Sequence, residues 1–253
     1  MTSRYEAYMD NVSLSSLDDS ILVLDIRPGN PTPQIRTNRV AKRNGAQTGD
    51  KYFEKSSVEI VFEIHEYSIS DRMEICQKVQ KWANGNILET NDRTGQRLVC
   101  VCEEYPTVTA KDWTEPISMT FSGYCPPFWE DKTPTTKTLA YNADPDTVNV
   151  PGNAPETLVS ATVTASEAIT SMSFTVDGHE IELSGLSVAS GDTVTIGYTK
   201  QIMYVRHNNS SILDKVTAQS ADVLKARCGT ANSFAFSADG SASCVFSVRG
   251  CWY

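Results

Sequence analysis

Apolar and polar side chains alternate most clearly between Val58 and Glu66. Val58, Ile60, Phe62 and Ile64 fall on one parity, and Glu59, Glu63 and His65 on the other. A period of two sends successive side chains to opposite faces, so the segment predicts a strand with one face in a core. The period then lengthens. Between Asp71 and Asn84, Met73, Cys76, Val79 and Ala83 share one face of a helix. Asp71 with Glu74 three residues later forms a capping-box pattern, and Gly85 just beyond the last turn predicts a C-cap. Asn86 to Arg93 reads as a strand running into an Asn/Asp-rich turn, and Arg97 to Cys102 as another strand. In the latter, Leu98, Cys100 and Cys102 lie on one face and Val99 and Val101 on the other, as in a strand covered on both sides. Ile117-Ser-Met-Thr-Phe121 alternates again, and Pro126-Pro127 ends the block.

Outside this block the signals are shorter. Residues 1 to 19 are polar and patternless and read as an N-terminal arm, whereas Ile21 to Ile26 is an apolar run of strand length. Val40 to Tyr52, with Asn44-Gly45 inside it, reads as a hairpin or long loop. Pro126, Pro127, Pro134 and a Thr-rich run place a break between Phe128 and Lys137. The expected domains are therefore 1–131 and 132–253. In the second, Asp177-Gly178, Ser190-Gly191-Asp192, Asn208-Asn209 and Asp239-Gly240 separate short β-rich runs such as Val159–Val163, Met172–Val176, Thr193–Tyr198 and Cys244–Val248. That spacing predicts a β-sandwich or barrel, with one short helix or turn at Ser220 to Lys225. The fold class expected for the whole chain is mainly β with one helix.

Composition narrows the function. A chain of 253 residues with 40% hydrophobic and 21% charged residues is globular. A net charge of −9 disfavours general nucleic-acid binding. No apolar run reaches the roughly 18 residues of a membrane span, and the first residues lack the apolar stretch of a signal peptide. The seven cysteines show no Cys-x-x-Cys and no framework spacing, so reduced, buried thiols without metal are expected, Cys100 and Cys102 among them. The three histidines, His65, His179 and His207, stand in no nucleophile or metal motif, and Glu103-Glu104 and Asp18-Asp19 are adjacent carboxylates that a strand would point to opposite faces. No catalytic, cofactor-binding or metal residues are assigned, and no enzyme is expected. One charge cluster stands out. Arg36, Arg39, Lys42, Arg43, Lys51 and Lys55 face only Asp50 and Glu54, so six cations against two carboxylates leave a local +4 in an acidic chain.

Taken in order, several pieces resemble the N-terminal domain of the distal tail protein family of long-tailed bacteriophages. They are the Arg-rich Arg36-Thr-Asn-Arg39 with Lys42-Arg43, Gly49 ahead of Tyr52, the alternating strand, the helix carrying Trp82, Asn86-Ile-Leu-Glu, the Asn91-Asp-Arg93 turn and Pro127-Phe-Trp129. The resemblance covers about the first half of the chain. It implies an N-terminal β-sandwich or split barrel with a helix, followed by a galectin-like C-terminal sandwich. It also implies a homohexameric ring joining the tail tube protein to the tail-tip or baseplate protein, in a virion assembled in the host cytoplasm. The basic segment 36–55 would be the hairpin or belt contacting the next subunit, since complementary charge selects partner and register. Two alternatives stand beside it: a carbohydrate-binding or adhesin module built on the second domain, and a tail tube subunit, which the same resemblance implies because related phage proteins share the N-terminal fold. The scarcity of aromatic platforms counts against the first, and the large second domain against the second. The ending Arg249-Gly-Cys-Trp252-Tyr expands the Arg-Trp with which the family often closes.

Overall fold

The computed structural model describes residues 4–39, 46–108, 115–124, 126–199, 202–217 and 220–253. The chain divides into two units, Met1–Trp129 with Tyr253, and Glu130–Trp252. It is mainly β, and α1 is the one α-helix among the described residues.

The first unit opens with a tight hairpin, β1 (Ala7–Met9) and β2 (Val12–Ser13). Asp10 and Asn11 turn it with φ of 50° and 68°, the left-handed pair that a two-residue hairpin turn needs and that Asp and Asn tolerate best. This overturns the expectation of a polar arm. Ala7, Met9 and Leu14 are buried, and the Asp10 carboxylate accepts hydrogen bonds from the amides of Asn86 and Ile87, both at 3.1 Å. Three buried residues spread over eight positions gave too sparse a pattern to read.

Next come β3 (Ile21–Pro28), the ribbon β4 (Pro33–Arg39) with β5 (Ala46–Phe53), and β6 (Ser56–Ile64). The strand expected from alternation is β6, with Val58, Ile60 and Phe62 wholly buried. After the helix α1 (Ile69–Ala83) follow β7 (Ile87–Thr90), β8 (Gln96–Val99), β9 (Val101–Glu104) and β10 (Ile117–Gly123). Strands β2-β1-β7-β8 lie side by side in one sheet, and β3-β6-β10-β9 form a second. The single strand expected over Arg97–Cys102 is in fact two. The chain leaves the first sheet after Val99 and enters the second at Val101. Val101 is 46% exposed, so the segment is not covered on both sides. Alternation continues unbroken through Cys100, so periodicity alone cannot register a change of sheet.

The helix differs from its expected form at both ends and in its face. Ser68, not Asp71, is the N-cap, its hydroxyl accepting from the Asp71 amide at 3.4 Å. The buried positions are Arg72, Ile75, Cys76, Val79, Trp82 and Ala83, while Met73 is 53% exposed. The apolar stripe thus turns toward Ile75 and Trp82. The Trp82 indole donates to the Val12 carbonyl at 2.7 Å and meets Phe121 edge-on at 6.1 Å. Gly85 is not among the glycines of positive φ, so it is no left-handed cap. What requires glycine there is close approach, because a Cβ would sit 2.2 Å from Met9 Cγ and 2.7 Å from Asp10 Oδ2.

The second unit starts in β11 (Trp129–Asp131), which lies beside the last strand, β23 (Cys251–Trp252). Between them run β12 (Thr135–Ala140), β13 (Asp146–Val150), β14 (Thr157–Ala165), β15 (Ile169–Val176), β16 (His179–Val188), β17 (Thr193–Thr199), β18 (Ile202–His207), β19 (Ser210–Ser211), β20 (Lys225–Ala226), β21 (Thr230–Ala238) and β22 (Ala242–Val248). They build the sheet β12-β22-β14-β17-β18-β19, with β20 beside β14, and the sheet β13-β21-β15-β16. Alternate residues of both sheets fill one core, where Phe246 of the first meets Phe174 and Phe234 of the second at 6.3 and 5.3 Å. No helix forms over Ser220–Lys225. Leu224 and Ala226 are buried at strand spacing instead, and a short 3₁₀ turn lies earlier, at Leu213–Lys215.

Candidate functional site

Of the basic residues singled out by charge, Arg36, Arg39 and Lys51 lie on the β4–β5 ribbon and Lys55 just beyond it. Arg36 and Arg39 are on β4 and Lys51 is on β5, with Ile35 opposite Lys51 and Arg39 opposite Ala46. Lys42 and Arg43 lie outside the described residues. The ladder shifts register between Ile35 and Thr37, a bulge that increases local twist. Among the described strands, β4 and β5 pair only with each other. A two-stranded ribbon of this kind is marginal alone in water and offers two open backbone edges. Ile35 and Tyr52, about half exposed, add apolar surface to it.

The root of the ribbon is built in two parts. Phe53, the last residue of β5, packs against Phe128 at 5.4 Å and Tyr253 at 5.5 Å, and those two rings meet edge-on at 5.6 Å. The Arg93 guanidinium sits 5.0 Å over the Trp129 ring and donates to the Tyr253 carbonyl at 2.8 Å. Burial holds the Arg93 pKa below its ordinary value. The Asn-Asp-Arg turn and the Pro-Phe-Trp segment, distant in sequence, therefore converge where the ribbon begins. Asn91 serves the same turn from its other side. Its amide donates to the Arg4 carbonyl at 2.8 Å, and its side-chain oxygen accepts from the Glu6 amide at 2.9 Å. Trp129, expected in a solvated linker, is 1% exposed.

The second part is ionic. Lys55 donates to both oxygens of Glu103, at 2.8 and 2.6 Å. Ser122 donates to Glu103 at 2.7 Å, and the Tyr124 hydroxyl donates to its other oxygen. Hydrogen bonds from Lys55, then Tyr124 and Ser122, pull the Glu103 carboxyl down to about 2. The same contacts raise the pKa values of Lys55 and Tyr124. Lys55 is thus engaged within its own chain, and Glu103, read as a solvated carboxylate, anchors the strand leaving the ribbon. The two are 48 residues apart in sequence, and no local signal could have paired them.

The histidines do other work. His65 faces Glu63 at 3.1 Å, and His207 bonds Asp192 at 2.8 Å in the β17–β18 corner, where Asn208 and the Ala189 amide hold the same carboxylate. The Asp192 carboxyl is accordingly lowered to about 2, first by the Ala189 amide. Every oxygen of that cluster is committed to closing the turn. At the chain's end, Arg249 donates to the Asp131 carbonyl at 2.7 Å and the Trp252 indole to its carboxylate at 2.8 Å, so the expanded Arg-Gly-Cys-Trp ending holds β11.

No family model matches the chain, and no curated protein matches it in sequence. Its fold is similar to those of several solved phage structures, two of which follow. One is the Dit protein of SPP1, described as a paradigm of the hub adsorption apparatus in phages infecting Gram-positive bacteria. It has a TM-score of 0.69 at 13% identity, over 97% of this chain and 98% of that one. The other is a chain of the phage p2 baseplate in its activated conformation with Sr, with a TM-score of 0.52 at 9% identity over 97% of both chains. The chain shares the fold of that hub protein.

Proposed function

We propose that this chain is a structural phage tail protein, a hub that closes into a homohexameric ring. The ring joins the tail tube protein on one side and the tail-tip or baseplate protein on the other. The observation that carries this reading is the β4–β5 ribbon. It is rooted by three aromatic rings and a Lys55–Glu103 pair, neither of its edges is paired by another described strand, and its sequence is basic in an acidic protein. A marginal ribbon with a rigid root gains its stability from a neighbouring surface, and a head-to-tail contact that closes gives a ring. Six-fold closure, the tube and tip partners, a place in the virion and assembly in the host cytoplasm come from the resemblance of motifs and fold. In this reading the first unit builds the ring, the galectin-like second unit decorates it, and DNA passes without sequence-specific binding. The protein contacts no membrane and catalyses no reaction.

The carbohydrate reading loses one aromatic candidate of the second unit. Tyr204 lies against Gly197, where a Cβ would be 2.3 Å from its hydroxyl, and the Arg206 guanidinium stands 4.6 Å over the ring. A sugar platform needs that face open. The test is the mass in solution of the purified protein, alone and with increasing concentration. A hexamer, or a monomer that converts to six-fold rings, is expected. Arg39→Glu, Lys42→Glu and Arg43→Glu together should weaken the ring and make it more salt-sensitive while leaving the melting curve within about 0.5 kcal/mol. Normal assembly of this variant at every salt concentration sinks the ribbon contact.

A further inference from the structure

We propose that Cys228 and Cys251 form a reversible disulfide, which ties the last strand of the second unit to the β20–β21 corner when the protein meets a disulfide oxidant. Both residues carry free thiols in this structure. Both lie beside the segment 150–154, Cys251 directly and Cys228 through its neighbour Gly229. Cys251 forms a parallel bridge with Gly152, and its carbonyl accepts from the amides of Asn153 and Ala154, each at 3.0 Å. Gly229, next to Cys228, donates to the Val150 carbonyl at 2.8 Å, and a Cβ on it would lie 3.0 Å from the Gly152 carbonyl. Gly152 and Gly229, with φ of 120° and 74°, are what allow backbones this close. Thr157, paired with Ala226 two residues before Cys228, acts on the Cys251 thiol by lowering its pKa against the other influences. Each thiol shifts the other's pKa more than any other group does.

The pair is also asymmetric in the way exchange chemistry uses. Cys228 is half-buried, and the neighbouring Cys251 thiol keeps its pKa below the ordinary value. Cys251 is fully buried, and the Cys228 thiol together with desolvation raises its pKa. Elsewhere burial drives the Cys100 thiol up to about 12 and Cys102 to about 11, and it raises Cys76 and Cys244 too, which makes them poor nucleophiles. With oxidised glutathione, the Cys228 thiolate attacks one sulfur of the glutathione disulfide. That bond breaks and one glutathione thiolate leaves. Cys251 then gives up its proton, attacks the Cys228 sulfur of the mixed disulfide and expels the second glutathione thiolate. Two protein thiols are oxidised and one glutathione disulfide is reduced to two thiols. The occasion for it rests on the virion reading, because a tail built in a reducing cytoplasm is released into an oxidising exterior. The thiol chemistry itself does not rest on that reading.

The test incubates the reduced full-length protein with oxidised glutathione. A mass loss of about 2 Da is expected, with peptide mapping linking 228 to 251. The melting temperature should rise by about 10 °C, since the bond closes a loop of a few tens of residues. Dithiothreitol should reverse both changes. Cys228→Ser should abolish the link and the shift, and it is the variant least apt to disturb folding; Cys251→Ser should do the same if it folds. Retention of both thiols, a reaction halting at the glutathione adduct, a link between other cysteines, or an undiminished shift in Cys228→Ser each overturns the proposal. If the link forms but no ring does, the hub reading fails and the disulfide stands. A ring without the link has the opposite meaning.

Discussion

Glu103 shows how much one side chain settles. It accepts from Lys55, Ser122 and Tyr124, so a strand, its neighbour and the segment leaving the ribbon meet on one carboxylate. Its folded pKa of about 2 lies below the ordinary 4.5. A depressed carboxyl contributes stability that is fully present above its unfolded pKa and is lost as pH falls toward the folded value. The window is therefore about pH 4.5 down to 2. The Glu103 side chain is 26% exposed and that of Lys55 43%, so solvent screening reduces the contribution to about 1 kcal/mol. Glu103→Gln should lose about that much at neutral pH and show a shallower fall of stability below pH ~4.5, measured by urea unfolding across pH. An unchanged acid profile would mean the network contributes nothing. Asp192 and Asp239, both lowered to about 2, decline in the same window in the second unit, so the comparison is between variant and parent.

At the scale of elements, α1 separates what a pattern can and cannot say. Its length follows from spacing, but its buried face is chosen by Trp82, which reaches Val12 and Phe121. Met73 shares a helical face with Cys76 in sequence and is left in solvent. Met73→Asp should cost less than about 0.5 kcal/mol, whereas Val79→Asp buries an unpaired carboxylate and should cost several kcal/mol, enough to unfold the unit. Thermal melts of the two variants check it. Equal losses would put the stripe back where the spacing alone had it. The ribbon is the opposite kind of element. Its sequence reads only as a hairpin or long loop over Val40–Tyr52, while its root depends on Arg93, on Phe128 with Trp129, and on Tyr253, from three separate places in the chain.

Across the whole molecule there are two cores, one around β6 and α1 and one between the two sheets of the second unit. Because each core is closed by its own residues, damage should stay local. In Val79→Asp the second unit should still melt cooperatively. Phe246→Ala, which removes the ring between the two sheets, should cost about 3–5 kcal/mol in the second unit and leave the first intact. Calorimetry distinguishes these outcomes, and a single shared loss in both variants would show one cooperative body instead of two.

Read alone, the chain determined that it is mainly β with one helix, because β6, α1 and the runs within β14 to β17 each bury a single face and so repeat at two or at three to four residues. It also determined the order of pieces that resembles a tail hub, and the basic ribbon. Tertiary structure decided the rest. It made a hairpin of the first residues, cut 97–102 between two sheets, turned the helix toward Trp82 and drew Trp129 out of the linker. It also joined Lys55 to Glu103 and brought Cys228 beside Cys251. Periodicity reports what a residue does relative to its neighbours in sequence, whereas each of these choices is made by a partner tens of residues away, whose approach leaves no local trace.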